Sequence, residues 1–139
     1  KATASALQST LDLGDAIVLL VEDNDLVLTL AKRVLGDAGY SVHAMSSGEK
    51  ALEMLNDGAV DIDLLLTDIV LPDINGQKLA ESALAQRPGL NVLYMSGYPN
   101  ELVADRGVMN PSTFFLPKPF SAQELLTKVR EALGREARH

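Results

Sequence analysis

No cysteine occurs among the 139 residues. That removes a disulfide framework, a thiolate nucleophile and a Cys-ligated zinc site together. The absence fits a reducing compartment, and a cytoplasmic location is expected. No apolar run approaches the roughly 18 residues that a membrane span needs, so no membrane contact is expected either. The run Ala16 to Val21 is too short and too far along the chain for a signal peptide. Repeats and low-complexity segments are absent. Positive charge is in the minority, with 12 Lys and Arg against 19 Asp and Glu and a net charge of −7. Direct nucleic acid binding is therefore not expected, because neutralising phosphates needs a basic surface. The initiator Met is missing as well, and the sequence from Lys1 reads as a fragment of a longer chain or a trimmed one.

What is present is a globular composition, 47% hydrophobic, in a chain long enough for one domain with a core. The stretch Leu64-Leu65-Leu66-Thr67-Asp68 dominates it. Its continuous apolar run predicts a strand over Asp63–Thr67, buried on both faces. Pro72 and Gly76 then turn the chain into a helix-forming segment. Other strands are expected at Ala16–Val21, Tyr40–Ala44, Asn91–Met95 and Thr113–Leu116. Helical spacing covers Leu26–Ala38, stopped by Gly39. Ser46 and Glu49 are spaced as a capping box for a helix reaching Asn56-Asp57-Gly58, and Ser121 with Glu124 for one ending at Leu133. Further helices are expected at Gln77–Ala85 and Glu101–Arg106. Five strands alternating with five helices make βαβ units. The expected fold is α/β, a flavodoxin-like (βα)5 three-layer sandwich with a five-stranded parallel sheet in the order 2-1-3-4-5.

That order gathers polar residues at one edge. Strand one ends in Glu22 and Asp23, strand three in Asp68, strand four in Ser96 and strand five in Lys118. Taken singly, each has an ordinary explanation: Asp68 or Asp23 as a helix cap, Ser96 as a loop hydroxyl, Lys118 as a surface lysine. Together they do not. Two carboxylates 4 Å apart repel by roughly 4 kcal/mol at an effective dielectric near 20. Three of them call for a cation or a proton, and Mg²⁺ takes such oxygen ligands. Lys118 adds a point charge suited to a phosphate oxygen, and Ser96 a neutral donor. A carboxylate nucleophile with a metal, a hydroxyl and a lysine suits in-line phosphoryl transfer to Asp68.

The segments Val18-Leu19-Leu20-Val21-Glu22-Asp23-Asn24-Asp25, Leu66-Thr67-Asp68-Ile69-Val70-Leu71-Pro72-Asp73-Ile74-Asn75-Gly76, Met95-Ser96-Gly97-Tyr98 and Lys118-Pro119-Phe120 resemble, in order and spacing, the receiver domain of two-component response regulators. The resemblance runs from about Ile17 to Leu133. It divides the chain into a linker (1–15), a receiver domain (16–134) and a short tail (135–139). It implies that Asp68 takes a phosphoryl group from the phosphohistidine of a histidine kinase or a histidine phosphotransfer domain. Asp23 and Asp68 would bind Mg²⁺ (or Mn²⁺) directly, Glu22 through water, and the Val70 carbonyl would complete the protein ligands. Ser96 and Lys118 would hold phosphoryl oxygens. Phe115 occupies the switch-aromatic position. Its turning inward with Ser96 would repack the face made by the fourth helix, fifth strand and fifth helix, a face that could also support a dimer.

Glu22 stands where Asp is frequent, and Phe115 where Tyr is, so switching cannot use a phenolic hydroxyl. Val70 and Tyr98 flank the acceptor and orient water poorly, which implies slow loss of phosphate. His43, in a predicted strand, and His139 lack the helical context of a phosphodonor, so the donor is another domain or chain. The run Val92 to Tyr98 resembles receivers at the C-terminus of hybrid sensor histidine kinases. That context is preferred to a stand-alone response regulator. Two rivals remain: a phosphatase of the haloacid dehalogenase type, through Asp61-Ile62-Asp63, and a receiver-like binding module that takes no phosphate.

Overall fold

The computed structural model describes residues 16–58, 60–97 and 113–134. The elements run β1 (Ile17–Val21), α1 (Asp25–Asp37), β2 (Ser41–Met45), α2 (Gly48–Asp57), β3 (Leu64–Asp68), α3 (Gly76–Gln86), β4 (Asn91–Ser96), β5 (Thr113–Pro117) and α4 (Ala122–Ala132). The five strands form one sheet in the order β2-β1-β3-β4-β5, and every neighbouring pair is parallel. The expected α/β order is therefore the observed one. The predicted helix Glu101–Arg106, the linker and the tail lie outside the described residues.

The apolar run of β3 is long enough to feed both faces of the sheet, and all five of its residues are buried. Leu64 and Leu66 point to one side, with Val18, Leu20, Leu93, Met95 and Leu116. Ala31 and Leu35 of α1 and Leu125 and Val129 of α4 cover that face. Leu65 points to the other side, with Leu19, Val21, Val92 and Tyr94, under Ala51 and Leu55 of α2 and Leu79 and Ala83 of α3. Strand alternation thus builds two cores from one sheet. Each fully buried leucine contributes about 2 kcal/mol, so β3 is a firmly held platform for the residue that ends it. Among the described residues, no helix is long and apolar enough to cross a membrane.

Helix entries follow cap chemistry, with one departure from expectation. Asn24 caps α1 by accepting from the backbone N–H groups of Leu26 and Val27, which leaves Asp23 free of that task. The capping box of Ser121 and Glu124 on α4 is present in both directions. The box expected from Ser46 and Glu49 is not formed. Ser47 is the cap of α2, accepting from Lys50 N–H, and the Glu49 N–H donates instead to Asp73. A distant carboxylate has displaced the local one, because the loop after β3 passes directly over this helix end.

Candidate functional site

Parallel strands bring their carboxyl ends to one edge, and the chain places its acids there. Glu22 follows β1 and is fully buried. Its Oε2 accepts from the Asn24 N–H at 2.9 Å. Asp68 ends β3 and is 7% exposed. Lys118 follows β5, its N–H donating to the Ser96 carbonyl at 2.7 Å. That bond carries the Lys118 side chain back over the edge, where Nζ lies 2.7 Å from Glu22 Oε1 and 2.9 Å from Asp68 Oδ2. The lysine is thus held between two carboxylates from neighbouring strands.

Glu22, Asp23 and Asp68 each offer an oxygen, and these atoms lie within 4.8 Å of one another. Asp23 is exposed while the other two are buried, so the cluster opens to solvent on one side. Three carboxylates against the Lys118 ammonium leave two negative charges, the complement of a divalent cation. The donors are all hard oxygens, which suits Mg²⁺. Burial raises the Glu22 carboxyl above its ordinary range, with help from the charge on Asp68 and against the pull of Lys118 and the Asn24 N–H. Burial alone would lower Lys118, but its hydrogen bonds to Glu22 and Asp68 prevail and raise it. The ammonium is firmly charged at neutral pH.

The remaining expected residues fall around this cluster. Ser96 is buried at the end of β4 and pairs in register with Pro117. Val70, two residues beyond Asp68, is 56% exposed. Phe115 lies on β5 with its ring stacked on Tyr94, centroids 5.6 Å apart. Tyr98 lies outside the described residues. Asp68 does not cap a helix: Asn75 caps α3, accepting from Gln77 N–H at 2.7 Å. Asp61 and Asp63 precede β3 and so lie at the opposite sheet edge, where Asp63 accepts from Ile17 N–H; this disposes of the haloacid dehalogenase reading. His43 sits within β2, in register with Leu19.

Three features of the site carry no short-range sequence signal. Gly76 packs so closely under the Asp68 carbonyl that a Cβ would overlap the oxygen, and Thr67 Oγ1 donates to that same oxygen at 3.0 Å. Asp73 reaches a helix end some 25 residues earlier in the chain. Beside Lys118, an open groove of about 430 Å³ is lined by Val27, Leu30, Gly97, Pro119 and Phe120. Leu26 and Leu30 of α1 stand 82% and 47% exposed, an apolar ledge one helical turn long whose Leu30 lines that groove. An exposed leucine on an amphipathic helix is unremarkable in sequence, and only the fold shows that Leu30 borders the groove beside Lys118.

Known proteins resemble this chain in sequence and fold. The family profile of the response regulator receiver domain matches residues 18–130. The sensor kinase CckA of Brucella abortus is 36% identical over 123 residues, covering 88% of this chain and 13% of that protein. The transcriptional regulatory protein CpxR of Escherichia coli is 35% identical over 118 residues, covering 85% of this chain and 49% of that one. Among solved structures, a response regulator receiver protein from Sinorhizobium medicae superposes with a TM-score of 0.77 at 35% identity, over 89% of this chain and 97% of the other. The receiver domain of the hybrid histidine kinase CckA gives 0.71 at 33% identity, over 85% and 99%. The chain therefore spans only 13% to 49% of the length of these two curated relatives.

Proposed function

Because the chain belongs to the response regulator receiver domain family, we propose that Asp68 is the phosphoacceptor of a two-component phosphorelay. A histidine kinase or histidine phosphotransfer domain presents its phosphohistidine. The N–P bond breaks as an Asp68 carboxylate oxygen bonds to phosphorus, and the imidazole leaves, taking up a proton. Lys118 and Ser96 hold the phosphoryl oxygens. In this sense the domain catalyses its own phosphorylation and, later, its slow hydrolysis. Asp23, Asp68 and the Val70 carbonyl would bind Mg²⁺ (or Mn²⁺), with Glu22 behind them. Once bound, the cation supplies positive charge against the crowded carboxylate and phosphoryl oxygens.

The observation that carries this reading is the single ammonium of Lys118 shared by Glu22 and Asp68 at 2.7 and 2.9 Å. It orients the acceptor and leaves a residual double negative charge beside it. The test is exposure to a small-molecule phosphodonor with Mg²⁺, read by intact mass. One phosphoryl adduct is expected, absent in Asp68→Ala and absent without the cation. No adduct, or one that survives Asp68→Ala, would leave the binding-module reading in its place.

The groove and ledge beside Lys118 suit a partner that must deliver a phosphohistidine to Asp68. On phosphorylation, Ser96 and Phe115 act as the switch pair and repack the face that includes β5 and α4, through which the domain could also pair with a second copy. The similarity to CckA favours a receiver within a hybrid histidine kinase. The match to CpxR keeps a separate response regulator as the second reading, and the reading frame of the whole gene decides between them. A cytoplasmic location belongs to the same proposal.

A further inference from the structure

The loop between β3 and α3 is fastened at two points. At its far end, the Gly76 N–H donates to the Ile69 carbonyl at 2.8 Å. In its middle, Asp73 accepts three hydrogen bonds at the start of α2: from Ser47 Oγ at 2.8 Å, Gly48 N–H at 3.2 Å and Glu49 N–H at 2.9 Å. The contact is also apolar. The Ile74 side chain fills the space over Gly48 so closely that a Cβ there would overlap its Cγ2. Val70 lies between Asp68 and this fastening, with its own side chain largely in solvent. Ile69 and Leu71 on either side of it are buried, and the Asp73 contacts fix the chain just beyond them.

We propose that Asp73 is a positioning residue for the acceptor site, holding the 69–75 loop on α2 so that the Val70 main chain faces the acidic cluster. This rests on the phosphoacceptor reading above and deepens it. The helix end is the anchor because its unpaired N–H groups are fixed donors, and a carboxylate is the acceptor they favour most. Releasing the carboxylate loosens the loop between the buried Leu71 and Gly76, next to Val70. The proposed cation site then loses the orientation of one ligand, while Glu22, Asp23 and Asp68 stay in place at the ends of β1 and β3. Loss of such supporting contacts lowers metal affinity by about tenfold.

The experiment compares wild type, Asp73→Ala, Asp73→Asn and Ser47→Ala. Cation affinity is measured by Mn²⁺ titration followed by water-proton relaxation, and amide exchange across the 69–75 loop is measured without cation. Ser47→Ala weakens the same helix cap but leaves the Gly48 and Glu49 N–H groups on Asp73. Asp73→Ala is expected to weaken Mn²⁺ binding about tenfold and to speed loop exchange. Asp73→Asn, which keeps one acceptor oxygen, is expected to restore most of the affinity, and Ser47→Ala, which removes one of the three bonds, to cost clearly less than Asp73→Ala. Wild-type affinity in Asp73→Ala, or an equal loss in Ser47→Ala, would overturn the positioning role while leaving the phosphoacceptor reading intact. A wild-type domain that binds no Mn²⁺ and takes no phosphate would overturn both.

Discussion

Replacing Lys118 with methionine keeps the unbranched stem of the side chain, one atom shorter, and removes its charge. In the native domain its ammonium faces Glu22, whose side chain is wholly buried, and Asp68, whose side chain is 10% exposed. Breaking a buried pair by removing one partner costs about 3–5 kcal/mol. Lys118 itself is 21% exposed, so water reaches part of the gap and the lower end, about 3 kcal/mol, applies. For a domain of this size that is roughly 10 °C in Tm. The loss carries a pH signature. Burial already holds the Glu22 carboxyl above its ordinary value, and removing Lys118 takes away a group that restrained it. A carboxyl with a raised folded pKa destabilises fully above that pKa, where it is charged, and relents as pH falls towards the unfolded value. Lys118 has its own folded pKa raised, so its contribution is complete at any pH below the ordinary lysine range. The deficit of Lys118→Met should therefore be largest near pH 8 and shrink towards pH 5. Thermal melts in cation-free buffer at both pH values read this directly. A deficit independent of pH, or none at pH 8, would refute the argument. Mg²⁺ should restore part of the deficit, since a ligand that binds only the folded state stabilises it.

Two further outcomes are expected. Val70→Asn puts a water-orienting amide beside the acceptor, so phospho-Asp68 should decay several-fold faster than in wild type; identical time courses would remove Val70 from the account of phosphate lifetime. Leu30→Asp places a charge on the apolar ledge beside Lys118. Transfer from a histidine-bearing protein should fall by at least about tenfold, the effect of a single interface anchor, while labelling by a small phosphodonor stays unchanged. Equal loss with both donors would mean that the substitution damages the acceptor rather than the docking surface.

The sheet and its strand order are legible in sequence because a strand buried on both faces needs an unbroken apolar run, and Leu64 to Leu66 supply one. Glu22, Asp23, Asp68 and Lys118 are legible for a related reason: a parallel sheet sends the residues just past its strands to a single edge, so position in sequence is position in space. Those same residues turn out to share one ion-paired cluster. Asp73 was not legible. Local pattern assigns the start of α2 a capping box of Ser46 and Glu49, whereas the acceptor of the Glu49 N–H comes from a loop brought over only when β1 and β3 pair. Gly76 is similar. Its need for a bare Cα comes from the carbonyl of Asp68 above it, eight positions earlier. Contacts that close long loops leave no periodic trace.

The stacking of Phe115 on Tyr94 bears on how quiet the proposed switch can be at rest. An aromatic pair of this kind is worth about 1 kcal/mol beyond the area it buries. If it were the sole hold on the ring, roughly one unphosphorylated molecule in six would already have released it. A relay built on that grip would signal continuously at low level, and phosphate at Asp68 would adjust the output rather than start it. Near-silence at rest would need at least another 2 kcal/mol or so from elsewhere on the face that carries β5. The background activity of the unphosphorylated domain is therefore itself a measure of what else restrains that ring.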